Sequence, residues 1–307
     1  MTSDHLMTVY NRAPLAFVRG DGAWLYAEDG EAYLDCVGGI ATNALGHCHP
    51  LMVAALIEQA GKLWHVSNMF RIPGQEQLAE RLTRACFADR AFFANTGSEA
   101  VECALKTARR FHARRGAPER IDVIGFAGSF HGRTYAAINA SGNPDYLDGF
   151  GPRLPGYVQI ALEDQAGFEA AVAEPSVAAV IVEPVQGEGG ARALSAADLL
   201  RLRRLCDTHG VLLIHDEVQS GMGRTGRLFA HQWVEGTEPD IMAVAKALGA
   251  GFPVAACLAT ETAASGMTPG AHGTTFGGNP LAMAVAIAAL SSAQGRPSDT
   301  HFSISAI

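Results

Sequence analysis

Lysine is scarce in this sequence. Of its 23 basic residues only three are lysines, Lys62, Lys106 and Lys246, and the others are arginines. The basic residues form no stripe and the formal net charge is −8, so nothing predicts binding to the phosphates of a nucleic acid. A sequence that uses arginine almost everywhere raises the question of what each remaining lysine does.

Two further absences limit location and partners. No apolar run approaches the ~20 residues that a membrane-spanning helix needs. The N-terminal residues lack a basic stretch followed by an apolar one, so no signal peptide is predicted. We therefore expect a cytoplasmic protein without a membrane partner.

The six cysteines include no CxxC pair. A disulfide framework is therefore not expected in a chain of this length and compartment. His47, Cys48 and His49 place three possible metal ligands in a row, but no second ligand cluster accompanies them. A turn before a helix is the better interpretation, and we expect no metal site.

Short apolar strands alternate with helices along most of the chain. A small β-meander is predicted at residues 14–35, with a hairpin turn at Asp29-Gly30. Strands are predicted at 91–94, 122–126, 177–182, 211–214, 241–245 and 255–259. Helices are predicted after Pro50, over 73–86, after the strand at 91–94 as far as about 115, and from a cap at Ser195 to about 209. This order predicts the α/β class, with a mainly parallel sheet covered by helices on both faces.

Lys246 is the lysine with the most unusual surroundings, because its neighbours from Ile241 to Leu248 are apolar. Burial disfavours the ammonium form, and a lysine that loses its proton near neutral pH can form an imine with an aldehyde. The alternative is a lysine that extends its charge to solvent from the end of a buried strand. Lys62 and Lys106 are interpreted as solvated charges.

Asp216 ends the apolar strand that begins at Val211, where open α/β sheets place their ligands. A magnesium-binding acid of a nucleotide site would require a GxxxxGK[ST] loop, and the sequence has none. A second interpretation is a carboxylate that faces the ring nitrogen of pyridoxal phosphate (PLP). The third is an acid that caps the next turn.

Three more motifs carry weak signals when each is taken alone. Asn95 to Ala100 lies between a strand and a helix and resembles an anion site at a helix N-terminus, although Ser98 is also a plausible cap. Thr274-Thr275 is flanked by glycines. Phe130 to Arg133 follows a strand and combines an aromatic ring that suits a flat cofactor with an arginine that suits a carboxylate.

Taken together, these motifs resemble the class III (subgroup II) PLP-dependent aminotransferases, and within them the acetylornithine aminotransferases. The resemblance runs from about Tyr10 to Leu290. Its most specific stretches are Gly39 to Ala41, Asn43 to His47, Asn95 to Ala100, Phe130 to Arg133, Glu183 to Gly190, Asp216 to Gly226, Ala245-Lys246 and His272 to Pro280. It implies the PLP-dependent transferase fold type I, a mainly parallel seven-stranded-type sheet flanked by helices, with a small N-terminal segment.

The resemblance also implies a role for each matching residue. Lys246 is the Schiff-base lysine and proton carrier, Asp216 pairs with the ring nitrogen, Phe130 and Val218 cover the two ring faces, and Gln219 lies near the phenolic oxygen. Gly97 and Ser98 bind the phosphate, and Thr275 reaches the phosphate of a neighbouring subunit, so a homodimer with shared active sites is implied. The expected substrate-binding residues are Arg133, Glu188 and Thr274.

The implied reaction moves the δ-amino group of N2-acetyl-L-ornithine to 2-oxoglutarate, within arginine biosynthesis. Alternatives are another ω-aminotransferase, for succinylornithine, ornithine or 4-aminobutyrate, or a non-catalytic remnant. Three positions depart from the family pattern: Ala247 and Ala250 replace glycines, and His215 replaces an apolar residue.

The expected organisation is an N-terminal segment at 1–48, a large PLP-binding domain at 49–290, and an atypical tail at 291–307 in place of a C-terminal domain. The tail is polar and lacks a helical period, and the family resemblance stops before it. The resemblance thus implies a truncated chain, whose activity the missing domain puts in question.

Overall fold

The structure, a computed structural model, describes residues 5–294. The strands are β1 (Phe17–Asp21), β2 (Trp24–Ala27), β3 (Ala32–Leu34), β4 (Arg90–Ala94), β5 (Asp122–Phe126), β6 (Tyr157–Ile160), β7 (Val177–Val182), β8 (Val185–Gln186), β9 (Arg192–Ala193), β10 (Leu212–Asp216), β11 (Ile241–Val244) and β12 (Ala255–Ala259). The helices are α1 (Gly38–Ala41), α2 (Pro50–Ala60), α3 (Pro73–Thr83), α4 (Gly97–Arg114), α5 (Tyr135–Ser141), α6 (Pro144–Leu147), α7 (Gln165–Val172), α8 (Ala196–His209), α9 (Glu261–Ala264) and α10 (Pro280–Gln294).

A seven-stranded sheet organises the chain, in the order β4-β12-β11-β10-β7-β5-β6. The pairs β11–β10, β10–β7, β7–β5 and β5–β6 are parallel, and β12 is antiparallel to both of its neighbours. The mainly parallel α/β fold is therefore confirmed. Parallel strands end at one edge of the sheet, so the segments that follow them converge there.

Helices cover both faces of this sheet. On one face, alternate residues such as Ile181, Ile214 and Ala243 pack with α4 and α5. On the other face α3 and α10 pack beside β12 and β11, and α7 and α8 pack beside β5, β7 and β10. Every residue of β7 is buried, which explains why its sequence lacks a polar alternation.

The N-terminal part forms the predicted meander. β1, β2 and β3 pair antiparallel, and Gly30 adopts a positive φ of 88° in the turn between β2 and β3. At the other end α10 continues to Gln294, four residues beyond the boundary expected at 290. The remainder of the expected tail, 295–307, lies outside the described residues. In 5–294, no helix has both the length and the apolar character needed to cross a bilayer.

Candidate active site

A cavity of about 350 Å³ lies at the carboxyl ends of the parallel strands. Its lining brings together residues from distant parts of the chain: Thr42, Asn95 to Ser98, Phe130 to Gly132, Glu183, Glu188, Asp216, Val218, Gln219, Ala245, Lys246 and Gly251 to Val254. The lining thus brings together Lys246 and Asp216, the two residues for which the sequence analysis predicts catalytic roles.

Lys246 follows β11 and begins a short 3-10 helix. Its φ of 40° lies in the left-handed region, which is uncommon for residues with a side chain and is enriched at active sites. Burial lowers the pKa of Lys246, and the negative charges of Glu188, Asp216 and Glu183 only partly oppose that effect. The amine is therefore closer to its neutral, nucleophilic form than an exposed lysine would be.

Asp216 forms a buried pair with His131. His131 Nδ1 donates to Asp216 Oδ2 at 2.7 Å, and the backbone N–H of Val218 donates to Oδ1 at 3.0 Å. Burial lowers the pKa of His131, but the hydrogen bond to Asp216 and the charges of Asp216 and Glu183 outweigh burial, so the pKa is raised. The two hydrogen bonds fix the orientation of the Asp216 carboxylate at the end of β10.

Glu183 is a buried carboxylate that the sequence analysis did not assign. Its Oε1 accepts a hydrogen bond of 2.7 Å from the backbone N–H of Phe130, and its Oε2 a longer one of 3.4 Å from Gly187. Burial, followed by repulsion from Asp216, raises the pKa of Glu183 to about 7. Glu183 therefore fixes the backbone that carries the Phe130 ring.

Phe130 and Val218 both line the cavity, as the ring-covering roles require. Phe130 packs edge-on against Tyr146, with ring centroids 5.9 Å apart. Val218 packs so closely on the start of α4 that a Cβ at position 97 would lie 2.8 Å from its Cγ1. The missing side chain at Gly97 thus allows α4 to begin in contact with Val218.

The start of α4 offers unpaired backbone donors. Thr96 and Glu99 form a capping box that uses the N–H groups of Thr96 and Glu99, and Ala100 N–H bonds Thr96 O. Within residues 5–294, the backbone N–H groups of Gly97 and Ser98 have no acceptor. Together with the helix dipole they form a site for an anion such as phosphate.

Gly132 keeps this anion site open. A Cβ at position 132 would lie 2.1 Å from Ser98 Oγ, and the φ of 117° also favours glycine. Ser98 Oγ accepts from the backbone N–H of Arg133 at 3.3 Å. The FHGR motif and the start of α4 therefore form one structural unit.

Three expected site residues do not line this cavity. Thr274 lies in the loop before α10, where its Oγ1 accepts from Gly277 N–H at 3.2 Å and lies 3.5 Å from Asn95 Nδ2. Thr275 is exposed on the same loop. Arg133 is exposed and stacks on Tyr146, with its guanidinium carbon 3.8 Å from the ring centroid. Gln219 and Glu188, in contrast, do contribute to the lining.

The two alanines that replace family glycines have different backbones. Ala250 has a positive φ of 44°, whereas Ala247 lies in the 3-10 helix after β11 and is buried. A left-handed alanine is strained, and a buried alanine loses packing and backbone order when it becomes glycine. We expect Ala250→Gly to leave the free energy of unfolding nearly unchanged and Ala247→Gly to lower it by about 1–2 kcal/mol.

Urea denaturation of the two variants beside the parent measures this difference directly. Because the chemical change is the same at both positions, each variant is the control for the other. Equal losses at 247 and 250 would show that the left-handed backbone at Ala250 carries no strain.

The comparisons with known proteins agree with this geometry. Residues 7–298 match the family model "Aminotransferase class-III". Acetylornithine aminotransferase 2 of Caulobacter vibrioides is 68% identical over 286 residues, which is 93% of this chain and 71% of that protein. Acetylornithine aminotransferase of Mesorhizobium japonicum is 59% identical over 94% of this chain and 72% of its own length.

Solved structures give the same result. Ornithine aminotransferase of Toxoplasma gondii superposes with a TM-score of 0.90 at 37% identity and covers 95% of this chain and 69% of its own. N-acetylornithine aminotransferase of Stenotrophomonas maltophilia has a TM-score of 0.79 at 41% identity, over 92% of this chain and 70% of its own. The fold and site define a transaminase of PLP-dependent fold type I. The chain belongs to the class III aminotransferases, a PLP-dependent family.

Proposed function

We propose that this protein transfers the δ-amino group of N2-acetyl-L-ornithine to 2-oxoglutarate, within arginine biosynthesis. The observation that carries the proposal is the cavity that joins Lys246, Asp216 and the free N–H groups of Gly97 and Ser98. Lys246 suits the aldehyde of PLP, Asp216 suits its ring nitrogen, and the N–H groups of Gly97 and Ser98 suit its phosphate. The identities of 68% and 59% to acetylornithine aminotransferases support the choice of amine.

Four residues would hold and orient PLP. Gly97 and Ser98 would bind the phosphate through their backbone N–H groups, and Phe130 and Val218 would cover the two faces of the ring. When bound, PLP supplies an electron sink that makes the carbon next to the substrate nitrogen acidic. Asp216 would keep the ring nitrogen protonated, because a buried carboxylate favours the cationic form of its partner.

Lys246 supplies the remaining chemistry. Its Nζ has a lowered pKa because the side chain is buried, so the amine is available to bind the aldehyde carbon. Once the substrate amine takes its place, the same Nζ would accept a proton from the substrate Cα and deliver it to the C4′ carbon. In the same cavity as Lys246, Gln219 would lie near the phenolic oxygen of the PLP ring. Lys246 therefore serves first as a nucleophile and then as a general base and acid.

Arg133, Glu188 and Thr274 are proposed to select the substrate. The Arg133 guanidinium lies 5.8 Å from the centroid of Phe130, a ring that lines the cavity, so it is near enough to hold the carboxylate distal to the reacting amine. Glu188 lines the cavity and acts electrostatically on Lys246. Thr274 sits beside Asn95, another lining residue.

We also propose a homodimer, in which Thr275 reaches the phosphate bound to the neighbouring subunit. Thr275 is exposed, and Phe276 beside it exposes 59% of its surface. Trp64, Met69 and Phe70 expose still larger fractions, which is unusual for apolar side chains in a monomer. The cytoplasm is the proposed compartment, in keeping with six free cysteines in residues 5–294.

A panel of amines tests the proposed substrate. We expect the specificity constant kcat/KM with 2-oxoglutarate to be at least about tenfold higher for N2-acetyl-L-ornithine than for ornithine, which carries a second positive charge, or for 4-aminobutyrate, which lacks the acylated amino group. Arg133→Gln is expected to lower kcat/KM for acetylornithine about 100-fold. Arg153→Gln, at an exposed arginine away from the cavity, is the matched control.

Three outcomes would contradict this assignment. A preference for ornithine would favour the activity named for the Toxoplasma gondii neighbour. A preference for succinylornithine or 4-aminobutyrate would assign the chain to another ω-aminotransferase. Protein that binds PLP without transaminating any of these amines would identify a non-catalytic remnant.

A further inference from the structure

A second cluster of chemically active side chains lies behind the end of β10. His215, Glu217 and His231 are all buried, and one ligand atom from each lies within 4.8 Å of the others. His215 is the residue that departs from the family pattern, where an apolar side chain is usual. None of the three lines the cavity that holds Lys246.

His215 is fully buried, and neither ring nitrogen has a hydrogen-bond partner in residues 5–294. An unsatisfied buried polar atom costs about 1–3 kcal/mol, so two in one ring need an explanation. The His215 ring centroid lies 6.4 Å from that of His231. His215 therefore brings one unused lone pair and one unpaired N–H into the cluster.

Glu217 and His231 are held in place by the backbone. Glu217 Oε2 accepts from Ala230 N–H at 2.6 Å, and Oε1 accepts from the backbone N–H of His231 at 3.1 Å. His231 stacks on Phe229 and packs edge-on against Phe87. Two of the three side chains are thus already oriented without any ligand.

We propose that His215, Glu217 and His231 form a structural site for a divalent transition-metal ion, with zinc as the best match. Two imidazoles and one carboxylate are ligands that zinc prefers. His231 Nδ1 and Glu217 Oε1 lie 3.2 Å apart, close to the ~3.3 Å between two ligands of a tetrahedral zinc with bonds of ~2.0–2.1 Å. In the zinc-bound form Nδ1 of His231 would offer its lone pair, and the ring proton would lie on Nε2.

The arginine beside the cluster is paired with counter-charges. Besides His231, the positive charge that acts on His215 is that of Arg203, which pairs with Asp207 at 2.6 Å and with Asp240 at 2.8 Å. Closing the cluster from 4.8 Å to tetrahedral spacing requires about 1.5 Å of side-chain movement. The site departs from the expectation of no metal, which considered only His47 to His49; His47 instead bonds Asp35 at 2.7 Å.

Metal binding by the full chain with its cofactor tests the proposal. After treatment with a chelator and dialysis, the parent is expected to bind one zinc ion per chain by isothermal titration calorimetry, and its melting temperature to rise by several degrees with excess zinc. His215→Leu is expected to weaken zinc binding at least 100-fold and to abolish the shift in melting temperature. His49→Gln removes a histidine outside the cluster and is expected to bind zinc as the parent does.

A second variant guards against misfolding of the first. His231→Phe keeps an aromatic ring between Phe87 and Phe229, so it is expected to fold and to lose zinc binding as His215→Leu does. With cobalt as the probe, the parent is expected to show the visible absorption of a tetrahedral site and both variants to lack it. The proposal is overturned if the parent binds no zinc, or if the two variants bind it with the affinity of the parent.

Discussion

Replacing Lys246 with alanine is expected to lower kcat/KM for transamination by about 10⁴-fold or more. Among residues 5–294, the substitution removes the only lysine in the cavity lining, and with it both the nucleophile and the group that moves the proton. Circular dichroism and the melting temperature should remain close to those of the parent, because a neutral methyl replaces a buried amine. A steady-state assay with acetylornithine and 2-oxoglutarate measures the loss.

The scarcity of lysine supplies a matched control. Lys62 is exposed in the turn after α2, where it pairs with Glu58 at 2.6 Å, and Lys62→Ala should leave kcat/KM within about twofold of the parent. Borohydride reduction in the presence of PLP, followed by peptide mapping, should place the pyridoxyl group on Lys246 and on neither of the other lysines. If Lys246→Ala retained a tenth of the parent activity, the assignment would be wrong.

Asp216→Asn is expected to lower kcat/KM by about 10²–10³-fold, which is the usual effect of removing one preorganised electrostatic group. Asparagine has the same shape but no charge, so the ring nitrogen would lose its counter-charge. His131 would also lose the partner that raises its pKa. Cofactor affinity, followed by absorbance, should fall together with kcat/KM.

Asp240→Asn separates this catalytic effect from damage to the fold. Asp240 accepts from Arg203 and from the backbone of Leu213, both at 2.8 Å, and does not line the cavity. Its substitution should lower the melting temperature but leave kcat/KM at 25 °C within about threefold of the parent. A loss of less than tenfold in Asp216→Asn would show that the carboxylate is not the counter-charge of the ring.

Buried strands were predictable because they consist of short, continuous runs of apolar residues. The bounds of β5, β7 and β12 agree with the predicted ranges, since short apolar runs between helices leave few alternatives. The edge strand β6 was missed because its residues are all half-buried and include Gln159, so it carries neither a clean alternation nor a continuous apolar run. α10 was missed as well, since its small apolar residues surround the helix on all sides.

Two members of the candidate site could be located from the sequence because an ionisable residue adjoins a buried strand. Lys246 in an apolar stretch and Asp216 at a strand end are such cases, and both line the cavity. His131 was quoted within a motif but received no role, because its partner Asp216 is 85 residues away in the chain. The position of Thr274 and Thr275 outside the cavity also depends on long-range packing, which local patterns do not encode.

The end of β10 contributes to two sites, the cavity that Asp216 lines and the cluster that contains His215. Successive side chains of an extended strand point to opposite faces, so Asp216 lies on the side of α4 while His215 lies on the side of the second cluster. A substitution at either residue therefore alters only one of the two sites. A single-residue deletion within β10 would instead shift the strand register. The His215 side chain would then face the cofactor cavity and the Asp216 carboxylate would face away from it, so one deletion would damage both sites.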